Sequence, residues 1–101
     1  MIFITREDEI RLSKTQCIYF YASWMPFHQK MSLMLSLTEA KHKDIAFFAI
    51  DVDEFRNQCK RFNIETIPTI IVLKEGKEVK RLTGMVNTKV FIDTFADICT
   101  S

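Results

Sequence analysis

The side chains of this chain with sulfur or imidazole chemistry to offer are three cysteines, two histidines and five methionines. Cys17, Cys59 and Cys99 stand far apart, and no Cys-x-x-Cys occurs. An odd number at such spacing fits free thiols better than a disulfide framework. Cys17 falls in an apolar run and the other two fall on apolar helical stripes. Buried cysteine packs as a small hydrophobe whose thiol resists ionisation. His28 and His42, with no thiol pair to join them, are too few for a metal site. The most informative stretch is Trp24-Met25-Pro26-Phe27-His28, between an apolar strand and an apolar helix. It sets a thioether and an imidazole about one turn apart where a helix begins. Methionine has no proton to lose and forms no disulfide. His28 can hydrogen-bond or relay a proton, but it can resolve no mixed disulfide.

The elements that must position these residues follow from periodicity. Ile2-Phe3-Ile4 reads as a short strand, and Arg6 to Ser13, acidic in its first turn, as a short helix. Cys17 to Tyr21 is a continuous apolar and aromatic run, the pattern of a strand buried on both faces. Pro26 suits the first turn of a helix, since its missing N–H costs nothing there. Phe27, Met31, Met34 and Leu35 recur at helical spacing, so the helix runs to about Glu39. Leu33 and Leu37 widen its apolar face and imply burial on two sides. Ile45 to Val52 is a second central strand, and Asp53 is placed to cap a helix with the stripe Phe55, Cys59, Phe62. Pro68 opens the strand Thr69 to Leu73. Glu75-Gly76 turns it into Glu78 to Thr83, a hairpin. Asn87 or Thr88 caps a last helix with Phe91, Phe95, Ile98 and Cys99 inward. The order β-α-β-α-β-α-β-β-α implies an α/β fold: a mixed five-stranded sheet with helices on both faces.

Bulk properties narrow the class. At 101 residues with 48% apolar content, residues 1–101 form one domain with a core of its own. Fourteen basic and thirteen acidic residues are interspersed, for a net charge of +1. No basic stripe argues for nucleic acid, and Lys41-His42-Lys43 reads as a solvated loop. The start, Met1-Ile2-Phe3-Ile4-Thr5-Arg6-Glu7, has no secretory pattern, and the apolar run Ile45 to Ile50 is too short to span a bilayer. A cytoplasmic, reducing setting without membrane contact is therefore expected. No cofactor is implied.

The sequence resembles the thioredoxin-like family over essentially its whole length. Ile18-Tyr19-Phe20-Tyr21-Ala22-Ser23-Trp24 is similar to the lead-in to that family's redox pair. Ile67-Pro68-Thr69 resembles its cis-proline loop, and Gly76 and Gly84 lie where its turn glycines lie. The resemblance places Met25 and His28 in the two cysteine slots. It also places Tyr19 where the family has a buried aspartate, and Ala49 where it has a lysine. Met25-Pro26-Phe27-His28 is nearer in pattern to the glutaredoxin-like Cys-Pro-x-Cys. The resemblance thus implies a thioredoxin-type scaffold with a degenerate, redox-inactive site.

What the resemblance leaves in place is a peptide-binding groove. In relatives the cis-proline loop offers backbone groups to an extended peptide. The matching binding residues here are Trp24, Met25, Pro26, Phe27, His28, Ile67, Pro68, Thr69, Gly84 and Met85. The expected function is that of a module binding a protein or peptide through the Trp24/Met25/Pro68 groove. The alternative is a thiol-disulfide oxidoreductase using a displaced cysteine. Met25 is expected at the exposed mouth, where Met25→Asp would change stability by no more than about 0.5 kcal/mol. Lys77, Lys80 and Arg81 blunt the last strand against edge pairing, so a monomer or weak homodimer is expected.

Overall fold

The computed structural model describes residues 2–3, 15–42, 44–84 and 88–100. The elements are β1 (Ile2–Phe3), β2 (Gln16–Tyr21), α1 (His28–Lys41), β3 (Ala46–Asp51), α2 (Arg56–Arg61), β4 (Thr69–Lys74), β5 (Lys77–Thr83) and α3 (Thr88–Thr100). The body of the fold is a four-strand mixed sheet, β3-β2-β4-β5, of strands six or seven residues long. The expected fifth strand is reduced to two residues: Ile2 and Phe3 pair in parallel with Phe48 and Ala49 on the outer edge of β3. The expected helix over Arg6 to Ser13 lies outside the described residues.

Strand pairing follows burial. β2 is parallel to β3 and antiparallel to β4, so it runs through the middle of the sheet. Its residues Gln16 to Phe20 are all buried, which is why its apolar run is unbroken rather than alternating. Because successive side chains point to opposite faces, β2 feeds two cores. Cys17 and Tyr19 join Phe47, Ala49, Ile70 and Val72 under α1 and α3, with Met31, Leu35, Phe91 and Phe95 from the helices. Ile18 and Phe20 join Phe48, Ile50, Ile71 and Leu73 on the other face, against Phe55, Cys59 and Phe62 around α2. Helices thus cover both faces of the sheet.

The β4–β5 hairpin turns at Glu75 and Gly76, with φ of 51° and 82°. Two consecutive positive φ values match the right-handed twist of the flanking strands. β5 is mostly exposed and edges the sheet. Its Arg81 is anchored: Nη2 donates to Phe62 O at 2.7 Å and to Glu78 Oε1 at 2.7 Å.

Four local expectations are corrected. α1 begins at His28 rather than Pro26, because Pro26 and Phe27 are spent on the turn that leads into it. Asp53 does not cap α2; the N-cap is Phe55, without a side-chain bond. Leu33 and Leu37, expected to be buried, are 61% and 59% exposed, because α1 packs on the sheet through the face that carries Met31, Leu35 and Thr38. His42, read as part of a solvated loop, is half-buried, and its ring tilts onto Phe95 with centroids 5.9 Å apart.

Candidate functional site

The site lies where β2 hands the chain to α1. After Tyr21 the backbone closes two tight turns, Met25 N–H to Ala22 O at 3.0 Å and His28 N–H to Met25 O at 3.2 Å. These turns decide which of the five residues Trp24 to His28 face water. Trp24, Pro26 and Phe27 are exposed, with Trp24 69% accessible. Met25, expected at the mouth, is only 8% exposed and belongs to the core beneath α1. The physical reason is the side chain: an uncharged thioether gains about 1.5–3 kcal/mol from burial, where a thiolate would be driven toward water. The indole is held in place, since Trp24 Nε1 donates to Asp53 Oδ2 at 3.1 Å. Asp53 N–H in turn donates to Asp51 Oδ1 at 2.9 Å.

His28, in the first turn of α1, meets the two tyrosines of β2. Its ring lies flat on Tyr21, with centroids 4.3 Å apart and planes 6° from parallel. Tyr19 stacks beneath Tyr21 at 5.3 Å. The Tyr19 hydroxyl is 3.2 Å from His28 Nδ1, and Ser32 Oγ is 3.4 Å from the same nitrogen. Burial, and secondarily the neighbouring Tyr21, push the Tyr19 phenol well above its ordinary range. It therefore keeps its proton and stays within hydrogen-bond distance of Nδ1. Burial also raises the Tyr21 phenol, helped by the charges of Asp51 and Glu54. The parallel register sets Tyr19 beside Ala49. The two positions where the resemblance implies an aspartate and a lysine are thus an aromatic ring and a methyl group, neighbours in one apolar core.

The second half of the site is the loop before β4. The Ile67–Pro68 peptide bond is cis, as the resemblance implied. Pro68 is buried, and its carbonyl accepts a 2.8 Å bond from Gly84 N–H. Gly84 sits at φ +74°, a conformation natural to glycine. Ile67 packs against the same core that holds Met25. Thr69 is buried, and its hydroxyl donates to Thr66 O. Met25, Ile67 and Pro68 thus form floor rather than exposed surface, and Trp24, Pro26 and Phe27 stand out from it. Met85 lies outside the described residues.

The remaining sulfur is elsewhere. Cys17 and Cys59 are free thiols on opposite faces of the sheet, so they cannot bridge. Cys17 is 1% exposed, and burial alone pushes its thiol far up. Cys59 is half-buried and also raised, by burial first and then by Asp51 and Asp53. The side chain of Cys99 is outside the described set. Among the described residues no group of three or more His, Cys, Asp or Glu is placed to hold a metal ion. Nor is any described helix long and apolar enough to cross a membrane.

The sequence named Tyr19 and His28 separately, and the structure joins them. It missed Tyr21, whose signal was the strand period: residues 19 and 21 share a face, next to the first turn of α1.

With this geometry in view, comparison with known proteins places the scaffold. Residues 5–100 match the family model described as Thioredoxin. The chain belongs to the thioredoxin family. It is 34% identical over 67 residues to a thioredoxin H-type of Fagopyrum esculentum, covering 66% of this chain and 58% of the relative. It is 33% identical over 78 residues to thioredoxin H2 of Arabidopsis thaliana, covering 76% and 59%. The chain thus spans about three fifths of the length of these relatives. Among solved structures, thioredoxin NaTrxh from Nicotiana alata superposes with a TM-score of 0.77 at 30% identity, over 86% of this chain and 75% of that one. The oxidised thioredoxin of Plasmodium falciparum superposes at 0.88 over 96% of both chains. Its 22% identity makes that a likeness of fold.

Proposed function

We propose that this chain is a redox-inactive member of the thioredoxin family, with a degenerate active site, that works by binding a protein or peptide. The observation that carries the reading is the pair of residues at the start of α1. Thiol-disulfide exchange needs an ionisable sulfur there to attack, and a second one to resolve the mixed disulfide. Met25 is a buried thioether, and His28 is tied to Tyr19 and stacked on Tyr21. Neither can attack a disulfide as a thiolate and pass electrons to it. Cys17 and Cys59 are elsewhere, on opposite faces of the sheet, with thiols held in the protonated form.

The binding surface is built on the same residues. Trp24, Pro26 and Phe27 offer apolar area above a floor of Met25, Ile67 and Pro68. Asp53 fixes the indole, so little side-chain freedom is lost on contact. An extended peptide laid along the Ile67-Pro68-Thr69 loop would take main-chain bonds there and seat one side chain against Trp24. His28 would supply a polar contact through Nε2. We place this activity in a reducing, cytoplasmic setting, which suits the free thiols.

The family relation supports a second reading, a thiol-disulfide oxidoreductase with a displaced cysteine. The two readings differ in how the partner is held. Affinity capture from the native host, followed by elution with dithiothreitol, separates them. A contact module retains its partner in reductant and loses it in the Trp24→Ala/Phe27→Ala variant. An oxidoreductase holds it through a mixed disulfide and releases it.

A further inference from the structure

Helix α1 carries apolar side chains on two sides, and among the described residues only one of them is covered. Successive residues turn by about 100°, so Met31, Leu35 and Thr38 share the face that packs on the sheet, where all three are buried. Lys30, Leu33, Leu37 and Lys41 fall on a different line, and all four are exposed. Beside that line, α1 and α3 enclose a groove of about 190 Å³ lined by Met34, Leu37, Thr38, Lys41, His42, Ile92 and Phe95. Ile92 adds a third exposed aliphatic side chain, 53% accessible. The groove's polar floor is quiet, because Thr38 Oγ1 already donates to Met34 O at 2.9 Å. Clustered exposed aliphatics of this kind mark contact surfaces more often than scattered ones do. This face lies beyond the Trp24 and Pro68 surface and shares no residue with it.

Charge selects the occupant. Among the described residues no carboxylate lines the groove. The one acidic residue of α1, Glu39, is half-buried, off the exposed line, and already engaged. Lys30 and Lys41 stand at the two ends of the leucine pair, eleven residues apart, or roughly 16 Å along the axis. A second copy of the chain, laid antiparallel, would set Lys30 against the other copy's Lys41 at both ends. Like charges so placed oppose that pairing. We propose that the outer face of α1, with its α3 groove, docks an acidic amphipathic helix of another protein. The leucines would enter its apolar stripe, and its carboxylates, about three turns apart, would meet Lys30 and Lys41.

The test uses the full chain and two synthetic 18-residue helical peptides with one leucine stripe. One carries Glu at two flanking positions eleven residues apart, and the other carries Lys there. Binding is followed by amide chemical shifts. The Glu peptide is expected to give saturable shifts around Leu33, Leu37, Lys41 and Ile92, to bind about tenfold more tightly than the Lys peptide, and to weaken as salt is raised. Lys30→Glu/Lys41→Glu, at two exposed positions, should reverse the preference. Equal binding of both peptides would overturn the proposal. So would shifts centred on Trp24 and Phe27, or no saturation at millimolar peptide. If light scattering instead finds a dimer that Leu33→Glu/Leu37→Glu dissolves, the occupant is a second copy and the proposal fails.

Discussion

Replacing Met25 with aspartate separates two views of the start of α1. If the residue were exposed, as its place in the motif suggested, the change would alter stability by about 0.5 kcal/mol or less. It is 8% exposed and packed in the core with Tyr19, Met31 and Leu35. Losing the buried thioether forfeits about 1.5–3 kcal/mol. A carboxyl group left there without a partner adds a penalty of about 1–3 kcal/mol. The sum, about 2.5–6 kcal/mol, is a large part of the 5–15 kcal/mol that holds a typical domain. The deficit should also depend on pH. An apolar site raises a carboxyl's folded pKa above its unfolded value of about 3.9. The neutral acid is then the better-tolerated form. The deficit is smallest below about pH 4 and grows as pH rises through the folded pKa. Urea unfolding of Met25→Asp and Met25→Leu at pH 4 and pH 7 measures this, and the leucine variant should lose less than about 1.5 kcal/mol. A Met25→Asp midpoint equal to that of the wild type would mean that the side chain at position 25 is not held in the core.

Further tests concern the neighbouring groups. Tyr19→Phe removes the hydroxyl that is hydrogen-bonded to His28 Nδ1; it should cost about 0.5–1.5 kcal/mol, and the His28 ring 15N shifts should move. Cys17 should react with a thiol probe only after unfolding, and Cys59 slowly, since burial raises both thiols. For the same reason their contribution to stability is whole below the unfolded thiol value of about 8.5 and declines as pH rises above it. Gly84→Ala meets nothing within 4 Å, so its cost, about 1–2 kcal/mol by thermal unfolding, should come from the positive φ alone.

The sheet was legible because its strands advertise themselves. Cys17 to Tyr21 and Thr69 to Leu73 are runs too apolar and too short to be anything but central strands, and Glu75-Gly76 marks the turn from the second of them into the exposed strand that follows. The two candidate slots were legible too, as residue types at a helix start. What failed did so for physical reasons. Met25 was placed by analogy with an exposed cysteine, yet its own chemistry favours the core. Leu33 and Leu37 read as buried from their type, but nothing in sequence says which side of an apolar helix finds a neighbour. Asp53 read as a helix cap, and its carboxylate is committed to Trp24 instead. The Tyr19–His28 bond spans nine residues across a strand, a turn and a helix, so it exists only once those three are assembled.

The central claim is that no electrons are exchanged at the start of α1. Insulin reduction in dithiothreitol tests it most directly, with the wild-type chain beside one in which Cys17, Cys59 and Cys99 are all alanine. Both chains should leave insulin precipitating at the rate of dithiothreitol alone. A wild-type chain that hastens precipitation, where the cysteine-free chain does not, would contradict it.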